Sequence, residues 1–230
     1  MKHRIDIKGN LIPNDYKFFY DFLGMDSTTP KDVQKVLANL QDGDTVEVYI
    51  NSPGGVIDVG SEIYTMLRSC KNVKIYITGE ACSAASIVAM AGHCSMSPTA
   101  LMMVHCVSTS ASGNHSTMEH MAEVLSTADR ALCTAYMEKT GMSETDALAM
   151  MEHETWLTAK DAKERGLVDE VMFEKEKEPQ ILSAGPLFSL PDDEAMERVR
   201  NMMGESKKKN EPDKKVLLQL EFLNLKGEKR

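Results

Sequence analysis

Three short stretches of the sequence hold residue types that do chemistry. In Gly79-Glu80-Ala81-Cys82-Ser83-Ala84-Ala85-Ser86 a β-prone run ends, small residues turn the chain, and a helix begins. A serine at such a turn is exposed and lies beside the free N–H groups and positive dipole end of the helix. That suits a nucleophile whose oxyanion is met by backbone N–H groups. Taken alone, a serine at a helix start is ordinarily an N-cap. Asn51-Ser52-Pro53-Gly54-Gly55 ends the preceding strand, and its paired glycines let backbone N–H groups approach a ligand. His105 closes the apolar run Leu101-Met102-Met103-Val104 and is the candidate general base. An orienting carboxylate would complete the set. Glu152, Glu154, Asp161 and Asp169 all fall in the closing region, and spacing does not choose among them.

These residues meet only if the elements around them alternate strand and helix. Ile5-Asp6-Ile7-Lys8 reads as a first short strand. Thr29, Pro30 and Asp32 mark a helix start as N-cap, first-turn proline and first-turn acid. Thr45-Val46-Glu47-Val48-Tyr49-Ile50 is the next strand, and residues 51–55 form a loop. A helix carrying Val59, Ile63, Met66 and Leu67 leads to strand Val73-Lys74-Ile75-Tyr76-Ile77. A small-residue helix over 83–92 leads to a strand over 100–105. Long and short helices follow over 115–139 and 143–151, then Thr155-Trp156-Leu157-Thr158, a helix over 160–165 and a last strand over 167–173. Such alternation predicts an α/β fold with parallel pairing. Parallel strands bring their carboxyl ends to one edge, where both turns and His105 would gather.

The domain is placed at residues 1–173. Residues 174–230 are broken by Pro179, Pro186 and Pro191 and read as a charged tail. Its segment 207–230 carries eight Lys or Arg against four Asp or Glu, whereas the whole chain has net charge −9. An apolar run, Val216 to Leu225, lies within it. The acidic balance argues against a nucleic-acid coat. No apolar run reaches the roughly 20 residues of a membrane helix, and no signal-peptide core opens the sequence. Five cysteines without a CxxC pair fit free thiols in a reducing cytoplasm. Residues 51–55 lack the ending of a phosphate loop, and no metal or other cofactor is called for. The aromatic cluster Tyr16-Lys17-Phe18-Phe19-Tyr20-Asp21-Phe22 is expected to be buried or to form a subunit contact.

Together, Tyr49-Ile50-Asn51-Ser52-Pro53-Gly54-Gly55, Gly79 to Ser83, Met103-Val104-His105, Trp156-Leu157-Thr158-Ala159 and Arg165-Gly166-Leu167-Val168-Asp169 resemble the serine peptidase family of the Clp protease proteolytic subunit. The resemblance covers about residues 45–173. Ala84 to Gly92 and Glu154-Thr155-Trp156 resemble, more narrowly, the Clp-related head maturation proteases of tailed phages and prophages. The resemblance implies the Clp-protease and crotonase-like spiral of strand–helix units, with the helix over 115–139 as a protruding handle. It implies Ser83 as nucleophile, His105 as base, and the N–H groups of Gly55 and Ala84 as oxyanion hole. Glu154 stands where the family has aspartate, with Glu152 as fallback.

A polypeptide substrate, capsid or scaffold protein, is implied, acted on by a homo-oligomeric ring in the host cytoplasm or the assembling prohead. The few residues before the first strand argue against docking of an AAA+ unfoldase. The alternatives are a housekeeping ATP-dependent Clp proteolytic subunit and a catalytically silent ring-forming assembly protein. A crotonase-like acyl-CoA enzyme would share the architecture, but the Ser83–His105 pairing argues against it.

Overall fold

A computed structural model describes residues 1–174 and 192–206. It divides into two units, Met1–Lys175 and Glu176–Arg230. Isoleucine and valine at alternate positions of β1 (Lys2–Leu11) and β3 (Thr45–Gly55) enter the core, as do those of β4 (Val73–Cys82). These strands pair in parallel, with β2 (Ser27–Thr28) beyond β1 and β5 (His93–Met96) beside β4. Helix α1 (Lys17–Leu23) follows β1, after a single 3-10 turn. Helix α2 (Pro30–Leu37) begins with a reciprocal cap: Asp32 N–H donates to Thr29 Oγ1, and Thr29 N–H donates to the Asp32 carboxylate. Helix α3 (Ile57–Arg68) packs between β3 and β4 in the chain and buries Val59, Ile63 and Leu67.

The fold turns on β4, which serves two partners in succession. Residues Lys74 to Ile77 pair with β5, whereas Glu80 to Cys82 pair with β6 (Leu101–Val104). The carboxyl end of β4 therefore leaves the main sheet path and starts a second edge. There, β6 pairs antiparallel with β7 (Thr155–Thr158), the one antiparallel pairing among the described residues. Helices α4 (Ala84–Ala89), α6 (Glu144–Glu152) and α7 (Ala159–Glu164) fill the connections, and β8 (Glu170–Val171) closes beside β5.

Helix α5 (His115–Thr140) spans 26 residues, about 39 Å at 1.5 Å per residue. Asn114 caps it, and Gly141 ends it in the left-handed conformation. Its buried residues are Cys133, Ala135 and Tyr136, and most of the residues from His115 to Arg130 are exposed. In the second unit, the described residues hold α8 (Asp193–Ser206), where Asp192 Oδ1 accepts from Ala195 N–H at 2.8 Å.

Several sequence expectations need correction. Residues 51–55 are not a loop but the last stretch of β3, because β1 runs alongside them and pairs Asn10 with Gly54 and Leu11 with Gly55 past a bulge. Helix α4 ends at Ala89 and β5 follows; the alternating run His93-Cys94-Ser95-Met96 is only 4 residues long, too short for its period to stand out along the chain. The last strand shrinks to Glu170–Val171. The aromatic cluster is not buried: Phe18 is 74% and Phe22 85% exposed, because α1 lies along the surface with no buried residue. Residues 193–206 of the expected tail are helical. The apolar run from 216 to 225 lies outside the described residues.

Candidate active site

The carboxyl ends of β3, β4 and β6 meet at one edge. Cys82 ends β4, and Ser83 follows with φ 54° and ψ −127°. Positive φ in a residue other than glycine is strained and clusters at functional sites. Two neighbours impose it. The Ser83 N–H donates to Met103 O at 2.9 Å on β6, and Ser86 N–H donates to Ser83 O at 2.9 Å. Ser83 stands at the N-cap position of α4, yet its hydroxyl makes no cap bond. Instead Ser83 Oγ lies 2.8 Å from His105 Nε2. Both side chains are partly buried.

The glycine pair of β3 approaches the same point. At Gly54, φ is 96°, and a Cβ there would stand 2.6 Å from Cys82 O and 2.8 Å from Ser83 Cβ. Only glycine lets this strand end pass so close to the serine turn. Buried Ser52 braces it: Ser52 Oγ donates to Gly9 O at 2.6 Å and accepts from Gly54 N–H at 3.1 Å. Gly55 is exposed beside it, and Ala84 is buried as the first residue of α4.

The four carboxylates separate. Asp161 accepts from Thr158 N–H and Oγ1–H, at 3.2 and 2.6 Å, and so caps α7. Those bonds, from the hydroxyl first, hold its pKa below the ordinary carboxylate value. Asp169 accepts from Cys94 N–H at 2.7 Å and pairs with Lys139 at the base of α5. Burial pushes its pKa up, but the Cys94 N–H and the Lys139 ammonium outweigh that and lower it. Both groups are thus occupied in holding the fold. Glu152 is exposed at the end of α6. Glu154 precedes β7 with φ 45°. The β6–β7 register runs from Leu101 opposite Thr158 to Val104 opposite Thr155, and the residues just past its end are His105 and Glu154, whose N–H donates to Met151 O at 3.1 Å. The Glu154 side chain does not use that placement: its Oε1 accepts from Trp156 Nε1–H at 3.3 Å. Among the described residues, no carboxylate hydrogen-bonds to His105. The structure thus joins Ser83 to His105, while the Glu154 carboxylate bonds to Trp156.

Two groups escaped the sequence reading. Asp129 on α5 accepts from Val107 N–H at 2.7 Å, anchoring the segment after His105. Tyr136 on α5 reaches Ser86 on α4. Neither has a local signal, since each contact joins residues far apart in sequence. The thiols beside the site are not activated. Burial first, then Glu80, pushes Cys82 to about 12, and burial first, then Asp129, pushes Cys106 to about 11.

A hydroxyl held to an imidazole at the end of a parallel sheet, on a strained turn into a helix, is the arrangement of a serine hydrolase. A family model described as Clp protease matches residues 22–175. An ATP-dependent Clp protease proteolytic subunit of Bacteroides fragilis is 34% identical over 163 residues, covering 67% of this chain and 79% of that protein. One from Bacteroides thetaiotaomicron is 32% identical over 163 residues, covering 67% and 74%. The chain belongs to the Clp protease family and is a serine peptidase of the Clp proteolytic-subunit type. Among the described residues, no helix is long and apolar enough to cross a membrane.

Proposed function

We propose that the chain is an endopeptidase with Ser83 as nucleophile and His105 as general base. The observation that carries this is the 2.8 Å contact between Ser83 Oγ and His105 Nε2 on a turn whose serine makes no cap bond. His105 takes the Ser83 proton as the oxygen attacks a peptide carbonyl. It then protonates the leaving amine, and water resolves the acyl-enzyme. The N–H groups of Gly55 and Ala84 serve as the oxyanion hole. As the first N–H of a helix, that of Ala84 has no intrahelical acceptor. Val56 N–H is committed to Leu11 O at 2.9 Å, and adjacent amides of a strand face opposite edges, so that of Gly55 faces the β4 side.

With Nε2 accepting from Ser83, Nδ1 carries the hydrogen and needs an acceptor. Glu154 takes that role, supported by its place next to Thr155 at the end of the β6–β7 pairing where His105 follows Val104. Its side chain must turn to reach the ring. A carboxylate has enough acceptor sites to keep Trp156 as well. The test is labelling by a fluorophosphonate: incorporation at Ser83 supports the reading, and an unlabelled active-site serine in a folded, assembled protein rejects it.

The finer reading is a head maturation protease that trims capsid or scaffold proteins as a homo-oligomeric ring. It is supported by the resemblance of residues 84–92 and 154–156 to phage and prophage proteases. A second reading, a proteolytic subunit working with an AAA+ unfoldase, is favoured by the relatives' name, ATP-dependent Clp protease proteolytic subunit. Cleavage of an assembled head protein without nucleotide supports the first. A requirement for an unfolding ATPase and ATP supports the second. Native mass tests the ring.

A further inference from the structure

Ser86 lies one turn beyond Ser83 on α4 and is completely buried; Tyr136, on α5, is 1% exposed. Ser86 Oγ lies 2.6 Å from Ser83 O and 2.7 Å from the Tyr136 hydroxyl. Counting hydrogens sets the direction of both bonds. A serine hydroxyl has one hydrogen, and a carbonyl only accepts. The Ser86 hydrogen therefore goes to Ser83 O, and Tyr136 donates to Ser86 Oγ. Burial raises the phenol's pKa, which keeps it protonated for this task.

Ser83 O and the Ala84 N–H belong to one peptide group. In a planar trans peptide the C=O and N–H point in opposite directions, and none of the described peptide bonds is cis. Fixing the oxygen therefore aims the N–H. Local preference does not hold this plane, since Ser83 sits at φ 54° and ψ −127°. Three donors in series or in parallel hold it: Ser86 N–H, Ser86 Oγ–H and, behind the latter, Tyr136.

We propose that Ser86 and Tyr136 are positioning residues that lock the Ser83–Ala84 peptide plane and so aim the Ala84 N–H at the oxyanion. This rests on the reading of Ala84 as an oxyanion donor. The relay never touches substrate. Because the oxyanion exists only in the transition state and its neighbours along the reaction path, a misaimed donor lowers kcat and spares KM.

The test compares the full-length chain with Ser86→Ala, Tyr136→Phe and the double variant. Peptide hydrolysis gives kcat and KM, a peptide boronate reports the tetrahedral state, a product peptide reports the ground state, and melting reports the fold. Ser86→Ala is expected to lower kcat by roughly 10- to 100-fold, no more than the loss of a whole oxyanion donor. Tyr136→Phe should cost several-fold. KM and product affinity should hold, while boronate affinity falls with kcat. The double variant should be no slower than Ser86→Ala, since both act through one relay. Tyr136→Phe removes a single oxygen and keeps the test valid if Ser86→Ala does not fold. Unchanged kcat per folded molecule with only a lowered melting temperature overturns the proposal, as does a rise in KM with kcat held. Wild-type protein that fails to label at Ser83 overturns the underlying reading as well. Normal wild-type labelling with variants that label and turn over equally fast overturns the relay alone.

Discussion

Ser83 Oγ and His105 Nε2 stand 2.8 Å apart because the ends of β4 and β6 are neighbours in register, Cys82 opposite Met103. Each residue immediately follows a strand with buried anchors, Ala81 and Cys82 on β4 and Met102 and Val104 on β6, so the contact is held by the sheet itself.

Ser83→Ala should abolish hydrolysis and fluorophosphonate labelling while the protein melts almost as wild type. Its hydroxyl caps nothing, so the stability change should stay within about 0.5 kcal/mol. Measured turnover of unfolded casein near the wild-type rate would remove Ser83 from the mechanism.

Glu154→Gln should lower kcat by on the order of 10²–10⁴, because a neutral amide neither fixes the imidazole tautomer nor stabilises the imidazolium. Glu152→Gln should have little effect. A larger loss at Glu152 would transfer the role there, and wild-type rates in both would show that neither carboxylate orients His105.

Gly54→Ala should destabilise the chain by about 1–3 kcal/mol and reduce activity beyond what lost folding explains. The added methyl meets Cys82 O and Ser83 Cβ, and positive φ makes the backbone itself unfavourable. Denaturant melts alongside rates per folded molecule check both halves. Full activity in a folded Gly54→Ala protein would show that the glycine approach does not shape the site.

Asp169 should make the fold acid-sensitive. Its pKa is lowered in the folded chain, so its contribution is fully present above the unfolded value of about 3.9 and is lost as pH falls through the lower folded value. Asp169→Asn should therefore be less stable than wild type at neutral pH, with the gap closing in acid. The facing groups are Lys139 and His93, the latter with Nδ1 3.4 Å away. Melting curves of both proteins from pH 7 down to pH 3 measure the gap; a constant gap would contradict this sign.

Much of this protein was legible along the chain. The Thr29–Asp32 cap and the alternating β-branched residues act over a few neighbours, so residue type alone declares them. Ser83 and His105 could be paired on paper because each ends a strand that parallel pairing sends to the same edge. Tertiary structure decided the rest. The extension of β3 through Gly55 depends on a partner strand, β1, that is distant in sequence. The engagement of Asp169, one of the four candidate carboxylates, depends on Lys139, which is distant in sequence. The Tyr136–Ser86 contact depends on how α5 seats against α4. A hydrogen bond between side chains is set within tenths of an ångström by the packing of whole elements, and no local pattern of residues encodes that distance.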